Sequence, residues 1–332
     1  MASFAHDFPF DPAYGRTLDD LLRIPAPDDA PDDFDAFWRA RYEEARRVAT
    51  EPELGPLEEE RDGVRIHGVT FTSVGGVRLG GWVVLPAEGA AEAEYGFVIG
   101  HGYGGRQEPG PDVPLPLPRS AAILPCVRGM GTRGLRAGIP DVSSGHVLHG
   151  IASRDTYVLG DCVADLWCAA SALHELVPET ARTENGPRLG LLGESFGGGL
   201  GALALPWDDR FAAAQLTVPT FGNHPLRLTL PCVGSGESVR TYHRTHPEVT
   251  EVLPYFDAAT AASRVKRPTL VAAALFDPSV PPPGQFAVYN ALAGERELQV
   301  LDAGHFEHPG TAAATKELGA ARSRFFGAHL GR

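Results

Sequence analysis

From Tyr95 onward one pattern recurs along the chain. A run of mostly apolar residues, too short for a helix, gives way to a longer stretch with helical spacing. The runs are YGFVIG (95–100), SAAILPCV (120–127), RLGLLG (188–193), FAAAQLTV (211–218), TLVAAAL (269–275) and ELQVLDAG (297–304). Buried strands alternating with helices pair in parallel, because each helix carries the chain back to the same edge of the sheet. The spacing predicts helices over 156–176, over GGGLGALAL, over 283–292 and over 311–329. Upstream, VRIHGVTFTSV and VRLGGWVVLP flank Gly75-Gly76, which reads as a hairpin. The fold class is therefore α/β. Its central sheet is antiparallel at the start and mostly parallel after it, with helices on both faces.

Residues 1–62 show no strand alternation and read as an N-terminal helical extension to a main domain over 63–332. Within the extension, Asp32–Ala49 has helical spacing, with Phe34, Phe37, Trp38 and Tyr42 on one stripe and Asp32 or Asp33 as the cap. Residues 219–255 interrupt the later alternation. They carry Pro, Gly, three His and no clear strand, so they read as an insertion: a lid or an oligomer contact.

Charge narrows the partners. In 332 residues, 29 Lys and Arg face 42 Asp and Glu, a net charge of −13. Such a surface repels phosphate backbones and anionic membranes, so neither nucleic acid nor membrane is an expected partner. No apolar stretch reaches the roughly 18 residues of a spanning helix. MASFAHDFPF has no basic start or long apolar core, which points to a cytoplasmic protein. Cys126, Cys162, Cys168 and Cys232 form no CxxC pair and read as reduced, buried thiols.

The chemistry concentrates at Gly193-Glu194-Ser195-Phe196-Gly197. It fits GxSxG between a strand and a Gly-rich helix, a turn that lifts a serine Oγ above the sheet. The bland alternative is a serine that merely caps the helix. Partners in the required order argue for the nucleophile. Asp277 follows the strand TLVAAAL and His305 follows ELQVLDAG. In this reading Asp277 accepts from His305 Nδ1, and His305 Nε2 takes the Ser195 proton. Asp302 and Asp257 are weaker acids by position, one inside a strand ending and the other at a helix start. His101-Gly102-Tyr103-Gly104-Gly105 follows the strand YGFVIG. Acyl transfer needs two N–H donors for the oxyanion, which the backbones of Tyr103 and Phe196 are placed to supply. His101 then reads as a structural loop residue.

His146/His149 and His243/His246 have HxxH spacing but lie in no HExxH motif, so loop histidines are preferred over a metal site. No GxGxxG with a following acid and no Walker motif is present. The chemistry requires neither metal nor organic cofactor.

These motifs make the chain resemble carbohydrate esterase family seven, the acetylxylan esterase and cephalosporin C deacetylase group of α/β-hydrolases. DDFDAFWRARYEEA resembles that family's N-terminal Phe-Trp helix; GVRLGGWVVLP and GHGYGG resemble its hairpin and oxyanion loop. LPYFDAATAASRVKRPTLVAAALFDPSVPPPGQFAVYNAL resembles its late strand, acid loop and following helix. Three signatures differ. The family's Arg-Gly-Gln-Gly reads Arg128-Gly129-Met130-Gly131, its GxSQGG reads Gly193-Glu194-Ser195-Phe196-Gly197-Gly198, and its His-Glu reads His305-Phe306-Glu307. The resemblance implies an α/β-hydrolase fold, a small-molecule ester substrate with a short acyl group, and a homo-oligomer, commonly a hexamer. The departures imply a more apolar site, with Met130 and Phe306 on the pocket wall. Two other readings remain open: a hydrolase for a larger or non-sugar ester or thioester, and a binding or scaffold protein on the same fold.

Overall fold

The computed structural model describes residues 4–181 and 186–330. Nine strands among the described residues form one sheet: β1 (Glu53–Arg61), β2 (Val64–Ser73), β3 (Val77–Pro86), β4 (Tyr95–Gly100), β5 (Ser120–Pro125), β6 (Leu189–Glu194), β7 (Phe211–Thr217), β8 (Thr269–Ala274) and β9 (Arg296–Leu301). Their order is β1-β2-β3-β5-β4-β6-β7-β8-β9. Pairing is antiparallel from β1 through the β3–β5 contact and parallel from there to β9. The principal helices are α1 (Phe34–Arg47), α2 (Val158–Leu176), α3 (Phe196–Ala204), α4 (Ser235–His243), α5 (Pro282–Ala291) and α6 (Thr311–His329). The sequence pattern predicts this mixed sheet, and it matches the α/β-hydrolase fold that the family resemblance implies.

Alternation along the strands divides the core. On one face, Phe97 and Ile99 of β4 pack with Phe325 and Phe326 of α6. On the other, Val98 joins the larger cluster that holds α2 and α3. Helix α2 is buried almost all round, as a helix between a sheet and a further layer must be. That further layer is α1, whose Trp38 is fully buried and donates through Nε1 to the Tyr255 carbonyl at 2.7 Å.

Two expectations need correction. The extension is helical only as far as Arg47, since Glu53–Arg61 forms the edge strand β1. Almost all of β1 is exposed on both faces, so no apolar alternation marks it in the sequence. Helix α1 does start after Asp33, yet that side chain makes no capping hydrogen bond. It is drawn instead to Arg154 and to the Tyr255 hydroxyl. The segment 219–255 contains no strand; it holds α4, the short helix His224–Arg227 and two 3-10 turns. All four cysteines are free and buried.

Candidate active site

The turn from β6 into α3 places Ser195. Its backbone sits at φ 54°, ψ −110°, a conformation that costs a non-glycine residue energy and is held by its surroundings. Ser195 N–H donates to the Thr217 carbonyl at 2.8 Å, and its carbonyl accepts from Thr220 N–H at 3.1 Å. Close approach explains Gly193: a Cβ there would lie 2.3 Å from the Gly197 carbonyl oxygen. The elbow thus folds tightly enough to raise Oγ at the C-terminal edge of the sheet, over the positive end of α3.

His305 and Asp277 arrive from the loops after β9 and β8. His305 Nε2 is 3.0 Å from Ser195 Oγ, and Nδ1 is 2.8 Å from Asp277 Oδ2. Asp277 is fully buried. Its Oδ1 accepts from Ser279 and Val280 N–H at 2.8 and 2.9 Å, and its Oδ2 accepts from Gln285 Nε2 at 2.9 Å. Gln285 is pinned in turn, accepting from Ala274 N–H and donating to the Val280 carbonyl. The carboxylate therefore has donors on both oxygens and a fixed direction. Burial disfavours the charged form of His305, but the hydrogen bond and charge of Asp277, with Glu194 behind them, prevail and hold its pKa above the ordinary histidine value. Asp302 is exposed at the end of β9. Asp257 lies elsewhere, capping the helix Ala258–Ala262.

Facing these groups is the loop after β4. Tyr103 borders the same cavity as Ser195 and His305. Phe196 opens α3, so no helical carbonyl reaches its N–H. The next N–H, of Gly197, is already taken by the His101 carbonyl at 2.9 Å. His101 holds the loop. Its Nε2 accepts from Val127 N–H at 3.2 Å and Nδ1 donates to the Gly102 carbonyl at 2.8 Å. Burial pushes its pKa down to about 4, so the ring stays neutral. Behind it, a Cβ on Gly105, at φ 71°, would lie 2.0 Å from the Gly131 nitrogen. The two glycine-rich loops therefore pack backbone against backbone.

The expected pocket wall is not assembled as the sequence implies. Met130 is buried in the main core and does not border the cavity. It occupies a tight turn, donating from N–H to the Val127 carbonyl, so its side chain points inward. The Phe196 ring is also buried; it stacks on Tyr103 at 3.9 Å between centroids and meets His146 edge-on. Phe306 borders a neighbouring groove and packs against Phe4, Phe8 and Phe276. The cavity, about 380 Å³, is lined instead by Gly102, Tyr103, Thr220, Val233, Ser235 and Val280, among others. Thr220 and Val233 to Ser235, from the segment 219–255, supply part of that lining.

Sequence reasoning missed Gln285 and the N-terminal segment. Pro12 supplies the carbonyl that accepts from Asp277 N–H at 3.1 Å, and Phe4 packs on Phe276 at 5.1 Å. A backbone acceptor leaves no trace in residue type, and Gln285 sits in an otherwise ordinary helix start. His146 donates from Nε2 to the Arg128 carbonyl at 3.0 Å, and His246 stacks on Tyr242.

Comparison with known proteins bears on the fold and the family. An acetyl xylan esterase from Paenibacillus sp. is 26% identical, with a TM-score of 0.77 over 92% of this chain and 99% of that one. Acetyl xylan esterase 1 from Thermoanaerobacterium sp. is 22% identical, also at 0.77, over 94% and 99%. The acylaminoacyl peptidase of Pyrococcus horikoshii is 16% identical at 0.59, over 86% of this chain and 43% of that one, and shares the fold. Residues 14–320 match the acetyl xylan esterase family. The chain belongs to that family and is a carboxylic ester hydrolase.

Proposed function

We propose that this enzyme hydrolyses short acyl esters, acetyl esters of small sugars or related alcohols foremost, through an acyl-enzyme on Ser195. The observation that carries the reading is the hydrogen-bonded run from Ser195 Oγ through His305 to buried Asp277. Ser195 Oγ attacks the ester carbonyl as its proton passes to His305 Nε2, and Asp277 stabilises the imidazolium. The N–H groups of Tyr103 and Phe196 receive the oxyanion, a contribution of roughly 3–4 kcal/mol per donor in comparable sites. His305 returns its proton to the departing alcohol. Water, activated by the same imidazole, then releases the acid and restores Ser195. A cavity of about 380 Å³ suits a small ester. The case for a longer acyl chain rested on the side chains of Phe196 and Met130, and both are turned into the core.

The test is hydrolysis of p-nitrophenyl esters from acetyl to octanoyl, with wild type beside Ser195→Ala. Activity should peak at acetyl, and Ser195→Ala should lower kcat by at least roughly 10³-fold with unchanged folding. Full activity in the variant overturns the nucleophile; a peak at octanoyl overturns the short-chain reading. Failure of a fluorophosphonate to label Ser195 would favour a scaffold role. The proposal includes assembly as a homo-oligomer, a hexamer by family resemblance, which light scattering in solution checks.

A further inference from the structure

Tyr103 stands between Gly102 and the pair Gly104-Gly105, so no neighbouring side chain anchors this stretch of the loop. Its backbone is untethered as well. Among the described residues, neither the N–H nor the carbonyl of Tyr103 makes a hydrogen bond to the protein. The N–H of Phe196 likewise has no protein acceptor. An amide without a protein acceptor can receive an oxyanion, but it does so well only if its direction is fixed beforehand. At Tyr103 no backbone bond fixes it, which leaves the side chain.

The two side chains hold each other. The rings of Tyr103 and Phe196 lie 3.9 Å apart between centroids and 17° from parallel, the closest ring pair among the described residues. That is tighter than the roughly 4.5–7 Å usual for ring pairs, so neither ring can tilt without pushing the other. One imidazole closes the edge of both. His146 meets Tyr103 at 5.6 Å and 75°, and Phe196 at 5.8 Å and 85°. Phe221 meets Phe196 edge-on at 6.0 Å. His146 is itself pinned and fully buried. Its Nε2 donates to the Arg128 carbonyl, and its Nδ1 accepts from the Tyr103 hydroxyl at 3.4 Å. Behind Arg128 stands the buried Asp165 of α2. Phe196 supplies its half of the stack at the position where GxSQGG would carry glutamine.

We infer that the Tyr103–Phe196 stack is a positioning device for the oxyanion hole: it sets the direction of the two N–H donors, and His146 keeps the pair from sliding. This rests on the proposed role of those N–H groups and adds what aims them. Each N–H belongs to the same residue as its ring, so a ring that cannot turn limits the rotation of its own backbone. The Phe196 ring is fully buried and does not border the cavity, so it acts on the substrate only through that backbone.

A sulfur-for-oxygen comparison reads the hole directly. p-Nitrophenyl acetate and p-nitrophenyl thionoacetate differ in one atom, and sulfur is larger and a weaker hydrogen-bond acceptor than oxygen. With each kcat/KM divided by the rate of free hydroxide, wild type should prefer the oxygen ester by at least roughly 10²-fold. Phe196→Leu keeps an apolar side chain and loses the flat face. It should lower kcat on the oxygen ester by roughly 10–100-fold and reduce the oxygen-to-sulfur ratio with it. Tyr103→Leu should do the same, whereas Tyr103→Phe keeps the ring and should keep the ratio within about threefold. The double Leu variant should lose little more than either single variant, as expected of residues that act as a unit. The ratio is the readout because a damaged fold lowers both rates together, and either Leu variant serves if the other does not fold. Ratios that survive in the Leu variants, a double variant whose loss is the product of the single losses, or an equal loss in Tyr103→Phe would overturn the device and leave the oxyanion hole standing. No discrimination in wild type would overturn the two-amide reading itself, and the device with it.

Discussion

In the proposed mechanism the imidazole of His305 accepts a proton from Ser195 only while neutral, so its pKa sets the acid limb of the reaction. That pKa is raised by Asp277 and Glu194 against the effect of burial. On p-nitrophenyl acetate, kcat/KM should therefore fall with acid around a midpoint above the ordinary histidine value near 6.5. Removing an anion destabilises the imidazolium, so Glu194→Gln should move the midpoint to lower pH; a shift upward would contradict the assignment. Gln285 offers a second check. Gln285→Leu takes a donor from Asp277 and an acceptor from Ala274 N–H. A loss of roughly 3 kcal/mol in urea unfolding and about tenfold in kcat is expected. Ser195, Asp277 and His305 were legible because their place at strand ends is a property of local sequence. Met130 and Phe306 were misread because the direction of a side chain in a loop is set by distant packing.

At the scale of elements, strands with a buried face announced themselves. β4 to β9 lie where the short apolar runs are, and α6 spans the residues its spacing predicts. β1 did not, because exposure of both faces removes the period-two signal and Pro56 argues against a strand interior. It holds its place partly through Glu58, which accepts from Trp82 Nε1 at 2.9 Å and pairs with Arg133. The loop after β5 is fastened to α2 by a buried charge pair. Arg128 reaches Asp165 at 2.6 Å and Asp161 at 2.7 Å, and the Ser73 hydroxyl also donates to Asp165. Asp165→Ala leaves the guanidinium buried with one half-exposed partner. It should lower unfolding free energy by about 3–5 kcal/mol in urea titration. The same change should impair activity only through loss of folded protein.

For the whole molecule, the site joins segments far apart in the chain. The turns that carry Ser195, Asp277 and His305 come from the sheet's C-terminal edge, part of the cavity lining from the segment 219–255, and a brace from residues 4–14. That brace touches three of these parts. Pro12 accepts from Asp277 N–H, Phe4 packs on Phe276 and Phe306, and the Tyr14 hydroxyl donates to the Pro231 carbonyl at 2.6 Å. Removing residues 1–12 should preserve cooperative unfolding yet reduce kcat about tenfold. Partial rescue by an added peptide of that sequence would separate positioning from general damage.

The brace also orders events during biosynthesis. Pro12 is made before its partner Asp277, which follows about 265 residues later, some 15–50 s at roughly 5–20 residues per second. Throughout that interval Phe4 has neither Phe276 nor Phe306 to pack on. The contacts that hold this segment over the acid loop therefore form only after the residues between them have been made.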